Sequence, residues 1–218
     1  MTYLKKRQML AMAKKLYAGE PSGHTFAHAM RVLSYAKKIC RTENVNKDVV
    51  FVSVLFHDVH RLLSNKTGKY VSPKEAMPEV LRVLAQFEIP QKELEQILFV
   101  IENHEDKHIE IGTPTKELLV VMDADALDAL GKIGIKRTLA YCKAHNIPTT
   151  NLQFSIDAKE YVPDTNPISA VHYICRTIIP NGENMHTKMG QKLAKPKIGV
   201  LVRFAKKELK KAGKVATI

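Results

Sequence analysis

The chain has 218 residues, enough for one well-buried core and cramped for two independent ones. Its 45% hydrophobic and 26% charged residues exclude disorder as the main state. The 34 Lys and Arg against 22 Asp and Glu leave a formal charge of +12, which favours a phosphate-bearing partner without separating free nucleotide from nucleic acid. Cys40, Cys142 and Cys175 are scattered, odd in number and without CxxC spacing, so they read as buried thiols in a reducing cytosol. Val49–Phe56, an uncharged run, is far too short to span a bilayer, and no apolar signal core follows Lys5-Lys6-Arg7, so a cytoplasmic protein is expected.

Residues 3–17 carry apolar groups at helical spacing with Gly19 beyond them, predicting a packing helix without chemistry. Pro21-Ser22-Gly23 is a turn. The next predicted helix carries His24 and His28 one turn apart, with Arg31 and Val32 three and four residues past His28 on the same face, toward Tyr35 and Ala36. Arg31 reads either as an anion clamp or as an ion-pair partner of a carboxylate such as Asp58 or Asp125. Asn46 is positioned to cap a third helix, whose run Val49–Phe56 is apolar nearly all round, the pattern of a central helix covered by neighbours.

That run ends in His57-Asp58. Adjacent helical residues point roughly 100° apart, so the two share one object only if it sits in the angle between them. A metal ion meets the requirement; a hydrogen-bonded His-Asp pair at a helix end is the simpler alternative. Residues 64–71 have turn chemistry and predict a loop, with Lys66 and Lys69 placed either as a lid over an anionic substrate or on a plain solvent loop. Ser72-Pro73-Lys74-Glu75 is a capping box, and Pro78 should restart the helix.

A helix is expected over 93–105, with Leu94, Ile97, Leu98 and Ile101 inward and His104 at its end, while His108 is assigned to the surface. Thr113–Glu117 should open the helix bearing Asp123, Asp125 and Asp128. Asp123 and Asp125 face apart, so only one of them can be a principal ligand. Gly131 and Gly134 allow a close turn, after which Ile135–His145 continues as helix with Arg137 on the first turn, where a guanidinium can hold two phosphate oxygens. Residues 146–166 form the least regular segment. Helix returns from Pro167 to Ile178, is expected to break at Pro180-Asn181-Gly182, restarts near Thr187 and should begin anew at Pro196. The last helix carries Lys195, Lys197, Arg203, Lys206, Lys207, Lys210, Lys211 and Lys214, read as a solvated face.

The order of His28-Ala-Met-Arg31-Val32, His57-Asp58 and Asp123-Ala-Asp125-Ala-Leu-Asp128-Ala-Leu-Gly131-Lys-Ile-Gly134-Ile-Lys-Arg137 resembles the HD-domain metal-dependent phosphohydrolases. It is close to a bacterial and archaeal subfamily with HxxRV and DADxLDAxGxxGxxR motifs. His172 and Met185–Ala194 resemble the same subfamily's C-terminal pattern, so the likeness covers about residues 20–210. It implies an all-α, single-domain helical bundle over residues 1–218, with a metal-binding core near 20–140 and C-terminal helices 166–212 packed on it. It further implies one divalent ion held by His28, His57, Asp58 and Asp125, with Mn²⁺, Fe²⁺, Co²⁺ or Ni²⁺ suiting two imidazoles and two carboxylates, and Zn²⁺ or Mg²⁺ also compatible. Arg31, Lys66 and Arg137 are the expected substrate contacts.

The chain departs from the subfamily after the HD pair. Val59-His60-Arg61-Leu62-Leu63 stands where relatives commonly have acidic and lysine residues, so a carboxylate for proton transfer is missing there. His60 either takes that catalytic role or faces solvent, and His104 is a second catalytic candidate. HD proteins with two metals usually bring an extra histidine from near residues 72–78, and none occurs here. The implied reaction is hydrolysis of a small nucleotide, foremost a nucleoside triphosphate to monophosphate and pyrophosphate, with a 5′-nucleotidase as the neighbouring activity. A di-iron oxygenase and a non-catalytic nucleic-acid-binding module are the competing classes. An aromatic content of 6% without Trp offers the latter few stacking platforms. No membrane association is expected, and a monomer or homodimer is.

Overall fold

A computed structural model describes residues 1–106, 114–157 and 167–213, and among them every regular element is helical. His108, Thr113, Pro163 and Lys214 lie outside the described residues. Contacts group the chain into two compact units, residues 1–125 and 126–218.

The first unit is built on α3 (Lys47–Phe56). Asn46 caps it by accepting hydrogen bonds from the Asp48 and Val49 amides at 3.0 and 3.3 Å. Every residue from Val49 to Phe56 is buried, as the apolar run predicted. The helix packs against α1 (Tyr3–Leu16), α2 (Phe26–Ile39) and α6 (Gln91–Asn103). Burying this many Val, Leu and Phe side chains contributes on the order of 1.5–3 kcal/mol each, which fixes α3 firmly enough to carry polar groups at its end. Asp48, at the start of α3, ties α1 through Lys6 at 2.7 Å.

Four expectations are corrected here. The α2 helix starts at Phe26, with the Thr25 hydroxyl capping the His28 amide at 3.4 Å, so His24 precedes the helix instead of riding on it. Residues 64–67 are not loop but the last turn of α4 (Val59–Thr67), which closes at Gly68 in the left-handed region, φ 69°. Ser64 and Thr67 give their hydroxyls back to the His60 and Leu63 carbonyls at 2.9 Å, an arrangement in which turn-favouring residues continue a helix. The Ser72–Glu75 capping box forms, with bonds of 2.6–3.2 Å, but over a short turn; α5 (Met77–Leu84) starts at the proline as expected.

The other two corrections lie in the second unit. Helix does not break at Pro180: α9 (Ala170–Tyr173) passes through a π-helical turn, Ile174–Ile178, into α10 (Ile179–Glu183). The Ile179 amide bonds the Ile174 carbonyl, and this wider turn sets the proline, which lacks an N–H, at the start of a new helical segment. Nor does Pro196 restart the last helix; α11 (Lys188–Lys211) runs through it. An internal proline costs about 3 kcal/mol, and the buried face of Gly190, Ala194, Leu201, Ala205 and Leu209, packed on α8 (Gly131–Ala144) and α10, offsets it. Two glycines are required locally: Gly131 has φ 72°, and a Cβ on Gly134 would lie 1.8 Å from the Ala129 carbonyl oxygen.

Gly134→Ala should therefore destabilise the protein by about 1–3 kcal/mol, read as a lowered midpoint of thermal or denaturant unfolding. Asp48 supplies a second test. Burial opposes its ionisation, but the bond from Lys6 outweighs this and lowers its pKa. A carboxylate with a depressed folded pKa stabilises above its unfolded pKa and loses that contribution as pH falls. Asp48→Asn should thus cost under about 1 kcal/mol at pH 7, and its deficit should shrink below about pH 4 in parallel unfolding curves.

Candidate metal centre

The buried helix α3 stops at Phe56, His57 follows with helical φ and ψ, and Asp58 opens α4. The pair thus stands at the junction of two helices with both side chains buried. The His57 Nδ1–H donates to the Val54 carbonyl at 2.9 Å, which turns Nε2 toward Asp58 Oδ2 at 3.2 Å. From α2, His28 brings its Nε2 to 3.4 Å from His57 Nε2 and 3.2 Å from Asp58 Oδ2. The helix α7 (Lys116–Asp128), whose first turn is capped by the Thr115 hydroxyl, delivers Asp125 Oδ1 to 3.2 Å from His28 Nε2 and 3.8 Å from His57 Nε2. Four helices' ends and faces therefore converge two imidazole nitrogens and two carboxylate oxygens on one point.

The electrostatics are those of a cluster that requires positive charge. Burial opposes ionisation of Asp58 and Asp125, yet the histidines beside them hold both carboxyls well below the usual range. Burial likewise opposes a charged His57, and the Asp58 and Asp125 charges override it, holding that imidazole well above its ordinary pKa. A divalent cation fits the same demand and releases the protons. The 3.2–3.4 Å spacings fit as well, because ligands roughly 2.1 Å from one ion stand about 3.0–3.4 Å apart at octahedral to tetrahedral angles, whereas the 3.8 Å between His57 and Asp125 is wider.

His24, though outside the helix, is brought in: its Nδ1 lies 2.9 Å from Asp58 Oδ2, so one carboxylate oxygen faces three imidazoles. Its four-residue spacing from His28 was the signal available in the sequence. Tyr17, at the end of α1, is buried, and burial followed by the Asp58 charge pushes its phenol well up.

Beside this cluster lies a second group of titratable side chains. The His57 and His104 rings meet edge-on with centroids 5.1 Å apart, and the His60 and His104 rings lie at 5.5 Å. His60 is buried, not solvent-facing, and its Nε2 is 3.4 Å from Glu105 Oε1. Arg61 also bonds Glu105 Oε1. Burial raises the Glu105 pKa, but the His60 imidazole 3.4 Å away and the Arg61 charge prevail and bring it down to about 2. Burial and the nearby His57 lower His104 to about 4. Glu105 and Arg61 carried no recognised motif in the sequence; the fold brings the Glu105 carboxylate, just past the end of α6, beside His60 and Arg61.

The remaining candidates fall in different places. Arg31 is half-buried on α2, three residues past His28. Lys66 is exposed on the last turn of α4. Asp123 is buried. In the second unit, Arg137 sits in the second turn of α8 instead of the first, and its guanidinium binds the buried Asp128 carboxylate at 3.0 Å. His172 is likewise structural: Nε2–H donates to the Ser155 carbonyl at 3.0 Å, and Nδ1 accepts from the Ser169 hydroxyl at 2.8 Å.

The HD domain family matches residues 25–130, which include every residue of the cluster except His24. Among curated proteins, the uncharacterized protein YpgQ of Bacillus subtilis is 28% identical over 142 residues, covering 63% of this chain and 66% of that protein, slightly under two thirds of its length. Among solved structures, a Lactobacillus plantarum protein aligns with TM-score 0.77 at 21% identity over 97% of this chain and 98% of its own. A Bacillus thuringiensis HD-superfamily hydrolase aligns with TM-score 0.72 at 22% identity over 96% and 97%. The complex of B. subtilis YpgQ with ADP aligns with TM-score 0.68 at 19% identity over 97% of each chain. Over residues 25–130 the chain is similar to the HD domain family, and these solved structures share its fold.

Proposed function

We propose that the protein hydrolyses small nucleotides, foremost nucleoside triphosphates to monophosphate and pyrophosphate, at a centre where His28, His57, Asp58 and Asp125 hold one divalent cation. The observation that carries this reading is the convergence of their four donor atoms, with neighbouring spacings of 3.2–3.4 Å around His28 Nε2. The nucleotide class is supported by the net charge of +12 and by the ADP bound to the structurally similar YpgQ.

When bound, such an ion supplies Lewis-acid polarisation of a phosphoryl oxygen and a water made nucleophilic near neutral pH. The chain's own residues provide the rest. His24 and His57 hold Asp58 ionised and oriented, so the cluster keeps its charge without rearranging. Arg31, on the α2 face that carries His28, offers a guanidinium to the phosphate, and Lys66 adds positive charge at the exposed end of α4. Arg137 is committed to Asp128 and contributes by holding the start of α8. His104 packs on His57 and His60 on His104, and each of His60 and His104 presents Nε2 as an acceptor, because its Nδ1 donates to a backbone carbonyl at 3.1 and 2.7 Å respectively.

Two measurements test this reading. Asp125→Ala and His28→Ala should weaken Mn²⁺ or Co²⁺ binding at this centre at least about 100-fold in calorimetric titrations, and Asp58→Ala should abolish binding at this centre and turnover together; an Asp58→Ala protein that still turns over would remove the assignment. Metal-stripped protein incubated with mixed ribo- and deoxyribonucleotides and Mn²⁺, Co²⁺, Ni²⁺ or Mg²⁺ should yield monophosphate plus pyrophosphate on anion-exchange chromatography. Nucleoside plus phosphate would instead establish a nucleotidase, and no product with any metal would refute nucleotide hydrolysis.

A further inference from the structure

We propose that His60, His104 and Glu105 form a second divalent-cation site, adjoining the His28, His57, Asp58 and Asp125 set and sharing no ligand with it. His60 Nε2, His104 Nε2 and a Glu105 carboxylate oxygen lie within 4.8 Å of one another. Both nitrogens are buried and have no hydrogen-bond partner, in residues only 1% and 4% exposed. Leaving such atoms unsatisfied is costly, so two of them aimed at one carboxylate call for an occupant.

The chemistry of the occupant follows from the protonation pattern. His60 Nδ1–H donates to the His57 carbonyl at 3.1 Å and His104 Nδ1–H to the Ile101 carbonyl at 2.7 Å. Both protons are therefore on the outward nitrogens, and both Nε2 atoms carry lone pairs. Two lone pairs and a carboxylate oxygen attract a cation and repel an anion, which separates this group from a phosphate subsite. His57 uses the same device, with Nδ1–H on the Val54 carbonyl. The recurrence of a proton-fixing bond to the carbonyl three residues upstream makes His60 and His104 as ready to ligate as His57.

Two imidazoles and one carboxylate, with positions left for water, suit a borderline ion such as Zn²⁺ or Co²⁺ better than Ca²⁺ or Mg²⁺. Arg61 binds the same Glu105 oxygen, which cancels the carboxylate's charge and further disfavours hard cations that depend on it. The Arg61 contact also fixes the carboxylate's direction, a role commonly filled by groups that hydrogen-bond a metal's carboxylate ligand.

The test is cobalt stoichiometry. Metal-stripped native protein titrated with Co²⁺ should take up two ions per chain by calorimetry and elemental analysis, with visible absorption rising over both equivalents. His60→Gln and Glu105→Gln should retain one ion and bind the second at least tenfold more weakly. His28→Ala should also retain one ion, now at this site, which separates failure of this assignment from failure of the neighbouring one. If those variants do not fold, nitrogen-correlated spectra of the native protein's imidazoles decide: the second equivalent should shift or broaden the His60 and His104 Nε2 signals. Saturation at one ion in the native protein, a second ion that persists unchanged in His60→Gln, or His60 and His104 signals that ignore it would each overturn the proposal.

Discussion

One carboxylate oxygen organises the first unit. Asp58 Oδ2 is buried and lies within 3.2 Å of nitrogens from His24, His28 and His57. An isolated carboxylate in that position would cost far more than a domain's whole stability margin, so its surroundings are not free to vary. The segment ahead of α2 must bring His24, α2 must bring His28, and the α3 terminus must stop where His57 can turn inward. The arrangement of these elements follows from keeping that charge compensated.

What makes the burial tolerable is the helix behind it. Because α3 is apolar on all sides, neighbouring helices cover it completely, and its first turn is pinned by Asn46, whose own amide donates to Glu117 at 2.7 Å. That bond links the start of α3 to the start of α7, the helix that delivers Asp125. The residue whose side chain caps one helix thus holds the start of another through its backbone N–H, and a polar centre gains the rigidity of an apolar core.

The all-helical character, the all-round burial of α3, the Asn46 cap and the HD pair were legible in the sequence because each depends on residues close together in the chain. His28, His57 and Asp125 were placed by motif, and the structure does bring their polar atoms to one point. Less legible were features decided by tertiary packing. Turn-forming residues at 64–67 became helix because their hydroxyls bond back to the preceding turn, and Pro180 and Pro196 failed to stop helices because a π turn and a buried face compensated them. The pairing of His60 with Glu105, 45 residues apart, could not be read from spacing, since neither residue announces the other. Arg137 matched a motif, yet its position beside a buried Asp128 is explained by packing.

The carbonyl bonds of His57, His60 and His104 have a consequence for how such a centre tolerates change around it. Each ring takes its orientation from backbone only three residues away, so its aim is inherited from a helix terminus and owes little to distant side chains. Exchanging the surrounding loops or surface charges would therefore leave the aim of these inward-facing nitrogens unchanged.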